Sequence, residues 1–443
     1  MTIQLSDHFT FTRLLRFIFP SVVMMIFTSI YSVVDGIFVS NLVGKTAFAA
    51  VNLVMPVIML LVSGGFMLGT GGSALVAMIL GKGNKEKACK VFSFLVYVAI
   101  ILGISLSIIA IIFMQKVVAF LGATGELLDN AVLYARIVVC GGVFFMLQNI
   151  FQSFLVVAEK PAMGLKLTIA AGITNMILDY GFIAVFHLGI AGAAYATVAS
   201  VFVGGCIPLI YFILPNKTPL RLGKTTLDFS SLLKTVANGS SELVGNIAMS
   251  VVSILYNFQL IRIAGENGVA SYGALMYVSF IFAAVFLGYG IGRSPIVSYH
   301  YGAGNIAELK NLFSKDATII TISSILLFIL SESLSFPLAM LFGGYDKELF
   351  AMIQTAFIIY SPAYLFMGAN LSASSFFTTL NNGFVSALIS FLRTLVFQCA
   401  AVLVLPLLWG INGIWIAEIV AEVCAFIIVT LSIIACRNKY SYF

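Results

Sequence analysis

The sequence predicts an all-α integral membrane protein with twelve transmembrane helices in two parallel six-helix lobes. Three observations support this prediction: the composition, the placement of basic residues between apolar segments, and an internal repeat. Of the 443 residues, 61% are hydrophobic and only 9% are charged, which is too little charge for the surface of a water-soluble protein of this length. The apolar runs are long and continuous, whereas a transmembrane β-barrel would show short alternating segments.

Glycine, proline and charged residues divide the chain into twelve apolar segments, each long enough to supply the roughly 20 residues that a crossing helix needs. The segments are 14–40, 47–80, 91–115, 131–157, 163–185, 190–214, 236–263, 269–300, 316–341, 350–377, 384–408 and 412–436. The first is too long for a cleavable signal and has no small-residue cleavage site after it, so it is expected to remain as a membrane span.

The basic residues predict the orientation of these spans. Alternate connections are rich in Lys and Arg, and that set, with both termini, holds 17 of the 23 basic residues. By the positive-inside rule this set faces the cytoplasm, which places both termini there. Two termini on one side require an even number of crossings, and twelve satisfies that condition.

A single shift of 221 residues aligns the two halves of the chain without a gap. It places Gly81 on Gly302, Asn84 on Asn305, and the stretch "LGIAGAAYA" on "WGINGIWIA". Because six crossings return the chain to the side where it began, the halves are predicted to be parallel repeats about an axis along the membrane normal. The predicted units are an N-lobe (1–214), a cytoplasmic linker (215–235) and a C-lobe (236–443).

This architecture favours a transporter whose lobes rock between inward- and outward-facing states; the alternative is an old duplication retained only for packing. The six cysteines are scattered without a CxxC pair, and the three histidines lie far apart. No metal or redox centre is therefore predicted. A membrane-embedded enzyme would need convergent nucleophilic, metal-binding or phosphate-binding groups, and the spans show none, so the sequence predicts that the protein is not an enzyme.

Five carboxylates fall within the predicted spans: Asp35, Asp179, Glu242, Glu418 and Glu422. Each costs about 2.5–3.5 kcal/mol at the centre of a membrane helix on insertion scales. Such residues usually face a cavity or a partner and serve a function.

The first half places several oxygen-bearing side chains at spacings that bring them together. Tyr31 and Asp35 are four residues apart and share a helix face, as do Asn175 and Asp179, while Thr197 lies near the middle of the sixth span. A hard cation such as Na⁺ requires oxygen ligands of this kind, and two carboxylates close together in a low dielectric would instead share a proton. For Tyr31 and Thr197 the alternative is hydrogen bonding between helices.

Polar residues elsewhere in the spans leave more than one interpretation. Gln148 and Gln152 lie four apart on the fourth span with Asn149 beside them, and helix–helix hydrogen bonding is again the alternative for Asn149. Glu242, near the cytoplasmic start of the seventh span, is either a second protonatable site or a charge favoured by the helix dipole.

The last two spans favour a structural ion pair over a substrate site. Glu418 and Glu422 are four residues apart on the twelfth span, and Arg393 lies inside the eleventh. An Arg–Glu pair across adjacent helices accounts for an arginine in that position.

The repeat shows that the two halves differ in chemistry. At the shift of 221, Asp35 aligns with Tyr256 and Thr197 aligns with Glu418. The polar cluster of the first half is thus absent from the second, which predicts that the N-lobe handles the ion.

Over essentially its whole length the chain resembles the multidrug and toxic compound extrusion (MATE) transporters, and within them the prokaryotic DinF-like branch. The resemblance is carried by "RFIFPSVVMMIFTSIYSVVDGIFVSNLVG", by the loop "GKGN" echoed as "GAGN", and by "TNMILDY". It implies export of cationic, amphipathic drugs or toxic metabolites in exchange for H⁺ or Na⁺, across a bacterial or archaeal inner membrane. It further implies a monomer without a cofactor or a nucleic-acid partner.

The resemblance also implies roles for individual residues. The N-lobe cation or proton site would consist of Asp35, Asn175, Asp179 and Thr197, and the cavity would be lined by Tyr31, Gln148, Asn149 and Gln152. The Glu242 position resembles the seventh-helix acid of other MATE branches. The tenth span, "YLFMGANLSASSFFTTL", lacks the aspartate of the NorM-like branch, which favours the N-lobe as the ion site. A lipid-linked glycan flippase of the same superfamily is the alternative, and it would need a basic cavity.

Overall fold

The computed structural model describes residues 3–442, apart from the side chains at 37, 41 and 45, and this part of the chain is helical almost throughout, without a strand. The first half contains α1 (Phe11–Phe38), α2 (Lys45–Gly81), α3 (Lys85–Phe120), α4 (Gly125–Cys140), α5 (Gly142–Val157), α6 (Pro161–Asp179) and α7 (Gly189–Ile213). The second half contains α8 (Phe229–Gly302), α9 (Ile306–Gly343), α10 (Lys347–Tyr360), α11 (Tyr364–Thr379), α12 (Gly383–Ser390) and α13 (Cys399–Tyr440).

The helices of the described residues account for twelve crossings. α4 and α5 form one span bent by 55°, and α10 and α11 are joined through a single 3₁₀ turn. α8 and α13 each change direction at a glycine with positive φ, Gly265 (61°) and Gly410 (55°), so each contains two spans or parts of two. The predicted fold class and number of spans are confirmed.

The internal repeat is visible in the backbone itself. Three pairs of glycines with positive φ are related by the shift of 221 residues: Gly44 with Gly265, Gly83 with Gly304, and Gly189 with Gly410. Each pair lies at the same turn of its half, where the left-handed conformation is easy only for glycine. The two halves therefore share one path of the chain.

The connection between the halves packs against the first half before α8 begins at Phe229, inside the segment predicted as the linker. Leu220 and Leu222 are buried in a hydrophobic cluster of that half. Asp228 caps α8 by accepting hydrogen bonds from the backbone N–H and the hydroxyl of Ser231. These bonds hold the pKa of Asp228 below its usual value. The division into lobes at 215–235 stays a prediction.

The halves meet most closely at the end predicted to be cytoplasmic, where glycines, which have no side chain, let the two backbones approach each other. A Cβ added at Gly81 on α2 would overlap the carbonyl oxygen of Tyr299 on α8, and one at Gly302 would overlap that of Met78. Gly81 and Gly302 are related by the repeat, as are Met78 and Tyr299. The same contact is thus made twice, once on each side of the pseudo-twofold axis.

A hydrophobic cluster at this end also draws on both halves. It contains Leu5 and Ile18 from the first half together with Ile296 and other residues from the second. The clusters around the opposite ends of the helices contain residues of one half only within the described chain. The protein is therefore closed at the predicted cytoplasmic end.

Replacing Gly302 by valine is expected to open this closure. Overpacking costs about 1–3 kcal/mol, so the closed population should fall roughly five- to 150-fold relative to the open one. Spin labels at exposed Lys85 and Lys310, in a background without the native cysteines, would report the longer distance by pulsed electron resonance. Gly245→Val on the same helix has open space around its Cβ and should leave the distance unchanged; a Gly302→Val variant with the native distance would contradict the prediction.

Candidate functional site

The N-lobe site is built where α1 and α6 pack together. At Gly172 of α6 an added Cβ would lie 3.3 Å from the ring of Tyr31 on α1. One turn beyond this contact on each helix, the side chain of Asp35 interacts with those of Asn175 and Asp179. The structure therefore brings these four predicted site residues together, as their spacing along the two helices predicted.

Four side-chain oxygens of the cluster are buried and lack donors. Asp179 is 0% exposed and Asn175 is 2% exposed. Among the described residues, neither oxygen of Asp179 has a partner with hydrogen-bond geometry, nor do Oδ1 of Asp35 and Oδ1 of Asn175. Buried polar atoms nearly always have a partner, and four such oxygens suit a hard cation or protons as the missing partner. The residues present thus fit a sodium ion or a proton.

Two further residues complete the surroundings of the acids. Tyr134 on α4, which is 2% exposed, interacts with Asp35, Asp179 and Thr197. The Thr197 hydroxyl donates to the carbonyl of Ala193 at 2.9 Å, so its oxygen remains available as an acceptor. Sequence reasoning missed Tyr134, because a single phenol between apolar residues has no charged partner on its own helix to mark it.

Both acids lie beside π-helical turns. The helix continues from α1 as a π-helix over Val39–Val43, starting four residues after Asp35, and from α6 over Tyr180–Val185, starting directly after Asp179. π-turns are rare and occur often at functional sites. They allow the helix backbone next to each acid to change its hydrogen bonding.

The predicted cavity residues of the fourth span lie inside the N-lobe. Gln148 packs against α7, where a Cβ at Gly204 would lie 2.8 Å from its Cδ. Asn149 donates to the carbonyl of Phe145 at 2.8 Å, and Gln152 is 6% exposed. The structure keeps all three near the protein interior, and their role in lining a cavity stays a prediction.

The position of Glu242 favours one of its two interpretations. α8 begins at Phe229, so Glu242 lies more than three turns inside the helix. The helix dipole acts mainly within the first turn and does not explain a carboxylate there. Glu242 is half-buried and forms no hydrogen bond or ion pair with the residues that the structure describes. This position favours a protonatable group, and the role of Glu242 stays a prediction.

The predicted Arg–Glu pair is present, and it involves only one of the two glutamates. Arg393 contacts Glu422 Oε1 through Nη2 at 2.6 Å and through Nε at 2.8 Å. Asn370 also donates to Glu422 Oε2 at 2.6 Å. Glu418 instead accepts a hydrogen bond from Gln398.

Two further carboxylates lie within the predicted spans, one buried and one half-buried. Asp316 lies in α9 and forms an ion pair with Arg293 at 2.9 Å, and it also accepts from Tyr289. Glu332, on the same helix, accepts from Ser361. The count of five carboxylates within the spans is therefore too low.

Two parallel six-helix repeats that are closed together at one end, with unpaired buried carboxylate oxygens inside the first repeat, form an arrangement typical of membrane transporters. The MatE family model matches residues 20–181 and 243–402, one stretch in each half. The chain belongs to the MatE family, as the resemblance of its motifs predicted; its place in the DinF-like branch stays a prediction.

Relatives and solved structures agree with this family. The multidrug export protein MepA of Staphylococcus haemolyticus is 23% identical over 97% of this chain and 94% of its own length. MepA of Staphylococcus aureus MRSA252 is 23% identical over 94% of this chain and 92% of its own. These curated relatives are named as export proteins.

The fold matches that of known transporters. A MATE family multidrug resistance transporter of the MOP superfamily, in an outward-facing conformation, superposes with a TM-score of 0.90, at 23% identity and 96% coverage of both chains. A MOP superfamily transporter from Pyrococcus furiosus, described as having a binding pocket of reverse polarity that suggests a different function, gives 0.87 at 24% identity and 96% coverage of both. At these identities the likeness establishes the fold.

Proposed function

We propose that this protein is a secondary active multidrug efflux antiporter, which exports cationic, amphipathic compounds in exchange for H⁺ or Na⁺ by alternating access. The observation that carries the proposal is the cluster of Asp35, Asn175 and Asp179, in which four buried oxygens lack a partner with hydrogen-bond geometry among the described residues. The names of the MepA relatives support a drug as the cargo. The protein would act as a monomer in the bacterial or archaeal inner membrane, with both termini in the cytoplasm.

The coupling step follows from the electrostatics of the cluster. The carboxylates of Asp35 and Asp179 repel each other in a low dielectric, and a proton or a sodium ion bound between them removes that repulsion. Binding would therefore draw α1 and α6 together, with the adjoining π-turns taking up the change in backbone hydrogen bonding.

Export requires that the ion and the drug stabilise different states of the protein or compete for the same carboxylates. With the cytoplasmic end closed, the ion would enter from outside and the drug would leave. The lobes would then rock about the glycine contacts, release the ion to the cytoplasm and expose the site to the next drug molecule.

The charges of the spans support a cationic cargo. Arg293 and Arg393 are both paired, with Asp316 at 2.9 Å and Glu422 at 2.6 Å, so neither offers a free positive charge to an anionic ligand. Asp35 forms no ion pair with any described residue. This distribution argues against the basic cavity that a glycan flippase would need.

Transport in proteoliposomes tests the proposal and identifies the coupling ion. We expect ethidium to move against its gradient when either a pH gradient or a Na⁺ gradient is imposed, and to stop moving when an ionophore collapses that gradient. Failure of ethidium to move under both gradients, together with movement of a fluorescent lipid-linked diphosphate sugar, would favour the flippase instead.

A further inference from the structure

The C-lobe contains a second buried carboxylate that the proposed N-lobe site does not use. Glu418, on the last span of α13, is 4% exposed. Gln398 donates a hydrogen bond to its Oε2, and the hydroxyl of Tyr256 lies 3.5 Å from the same oxygen. Tyr360 also contacts this carboxyl group.

The nearby arginine pairs with Glu422 and not with Glu418. Arg393 binds Glu422 through two nitrogens, and Asn370 donates to Glu422 as well. Glu418 forms no ion pair with any residue that the structure describes. The charged groups near it are Arg393 and Glu422, and the titratable groups are the phenols of Tyr256 and Tyr272 on α8, Tyr360 on α10 and Tyr364 on α11. Its direct partners are neutral.

The repeat places Glu418 at the position that corresponds to the N-lobe site. The shift of 221 relates Glu418 to Thr197 and Tyr256 to Asp35. In the N-lobe, Asp35 and Thr197 meet around Tyr134; in the C-lobe, their counterparts meet each other. Each lobe thus has an acid between its first and last spans. In the N-lobe this acid is Asp35, on the first span, and in the C-lobe it is Glu418, on the last span.

We propose that Glu418 is a second proton-binding site, in the C-lobe, which works alongside the N-lobe cluster; this inference rests on the proposed antiport. A buried carboxylate without a cation partner is costly in the membrane interior, and a bound proton removes that charge. The groups that contact Glu418 Oε2 are an amide N–H and a phenol O–H, which donate hydrogen bonds. Sodium would need several oxygen ligands in their place.

A proton on Glu418 changes the contacts between α13 and its neighbours. As a carboxylate, Glu418 holds Gln398, in the π-helical segment before α13, and Tyr256 on α8. As a carboxylic acid, it is a weaker acceptor for both. Proton uptake would therefore loosen the links that join the first and last spans of the C-lobe.

The tryptophans of the chain offer a direct test. Trp415 lies three residues before Glu418 on α13 and is 1% exposed, whereas Trp409, the only other tryptophan, is 55% exposed. In a Trp409→Phe background, Trp415 fluorescence should change with pH as a single transition, because residues three apart on a helix are neighbours. The transition should vanish in Glu418→Gln and persist in Asp35→Asn. An unchanged transition in Glu418→Gln, or a response to Na⁺ at constant pH instead of to pH, would overturn the proposal.

A second variant keeps the proposal testable if Glu418→Gln does not fold. Tyr256→Phe keeps the carboxylate but removes a donor that favours its charged form, so the midpoint should move to higher pH. If Glu418→Gln fails to fold, this shift decides the question, and an unmoved midpoint counts against the site. The titration needs no cargo, so a protein that exports none of the tested drugs would refute the antiport while leaving the Glu418 result to stand separately.

Discussion

Replacing Asp35 by asparagine is expected to reduce drug export to the level of empty vesicles, while the protein still folds and inserts into the membrane. Asparagine has nearly the same shape but neither takes up a proton nor supplies the negative charge that a sodium ion needs. It also removes the repulsion with Asp179, so α1 and α6 can pack closely whether or not an ion is bound. Ethidium efflux from proteoliposomes with equal protein content measures the effect.

A matched control separates this effect from a general loss of charge. Asp129 is an exposed carboxylate in the same lobe, on α4, and Asp129→Asn should export at the wild-type rate. Asp179→Asn should fail as Asp35→Asn does, since the two acids share one site. Export by Asp35→Asn at the wild-type rate would remove the basis of the proposed coupling.

Replacing Arg293 by methionine is expected to cause the largest loss of stability among single substitutions in the C-lobe. Arg293 is 1% exposed and binds Asp316 at 2.9 Å and the Ser372 hydroxyl and carbonyl at 2.9 Å each. Removing one partner of a buried ion pair leaves the other charge uncompensated and typically costs about 3–5 kcal/mol. Unfolding of the purified protein in SDS would measure the change in the free energy of unfolding.

The double variant Arg293→Met with Asp316→Asn is the control for this prediction. It removes both charges, so it should recover most of the lost stability, because neutral replacement of a buried pair is often tolerated. A double variant as unstable as the single one would mean that packing of the arginine, and not the unpaired carboxylate, causes the loss.

Much of the fold could be predicted from the sequence, because the membrane restricts the choices. Only helices satisfy their backbone hydrogen bonds within a single segment in lipid, so long apolar runs indicate spans directly. The shift of 221 residues also anticipated the backbone, since Gly83 and Gly304, at corresponding turns, both adopt positive φ. The helix spacing of Asn175 and Asp179 predicted that they share one face, and in the structure both interact from that face with Asp35 on α1.

The parts that could not be predicted depend on packing between distant segments. Tyr134 reaches the acids from α4 through the tertiary fold, and no charged residue lies three or four positions from it on its own helix to mark it. The π-turns next to Asp35 and Asp179 could not be predicted from the hydrophobic periodicity, because one extra residue in a single turn barely changes that periodicity.

The last two spans show the same limit. Spacing alone treats Glu418 and Glu422 alike as partners for Arg393, one turn apart on one helix. In the structure Arg393 forms an ion pair with Glu422 alone, because the eleventh span approaches α13 beside Glu422. The ion pair with Arg393 therefore distinguishes the structural carboxylate from the candidate proton site, and no local sequence pattern predicts that contact.

The central claim is that Asp35 and Asp179 together hold the coupling ion, and infrared spectroscopy of the carboxyl groups tests it most directly. In the wild-type protein we expect a band from a protonated carboxyl group that decreases as pH rises or as Na⁺ is added. The part of that signal due to the N-lobe site should be missing from both Asp35→Asn and Asp179→Asn, and present in Asp129→Asn. A pH- and Na⁺-dependent signal that is identical in the wild-type protein and in both site variants would contradict the account.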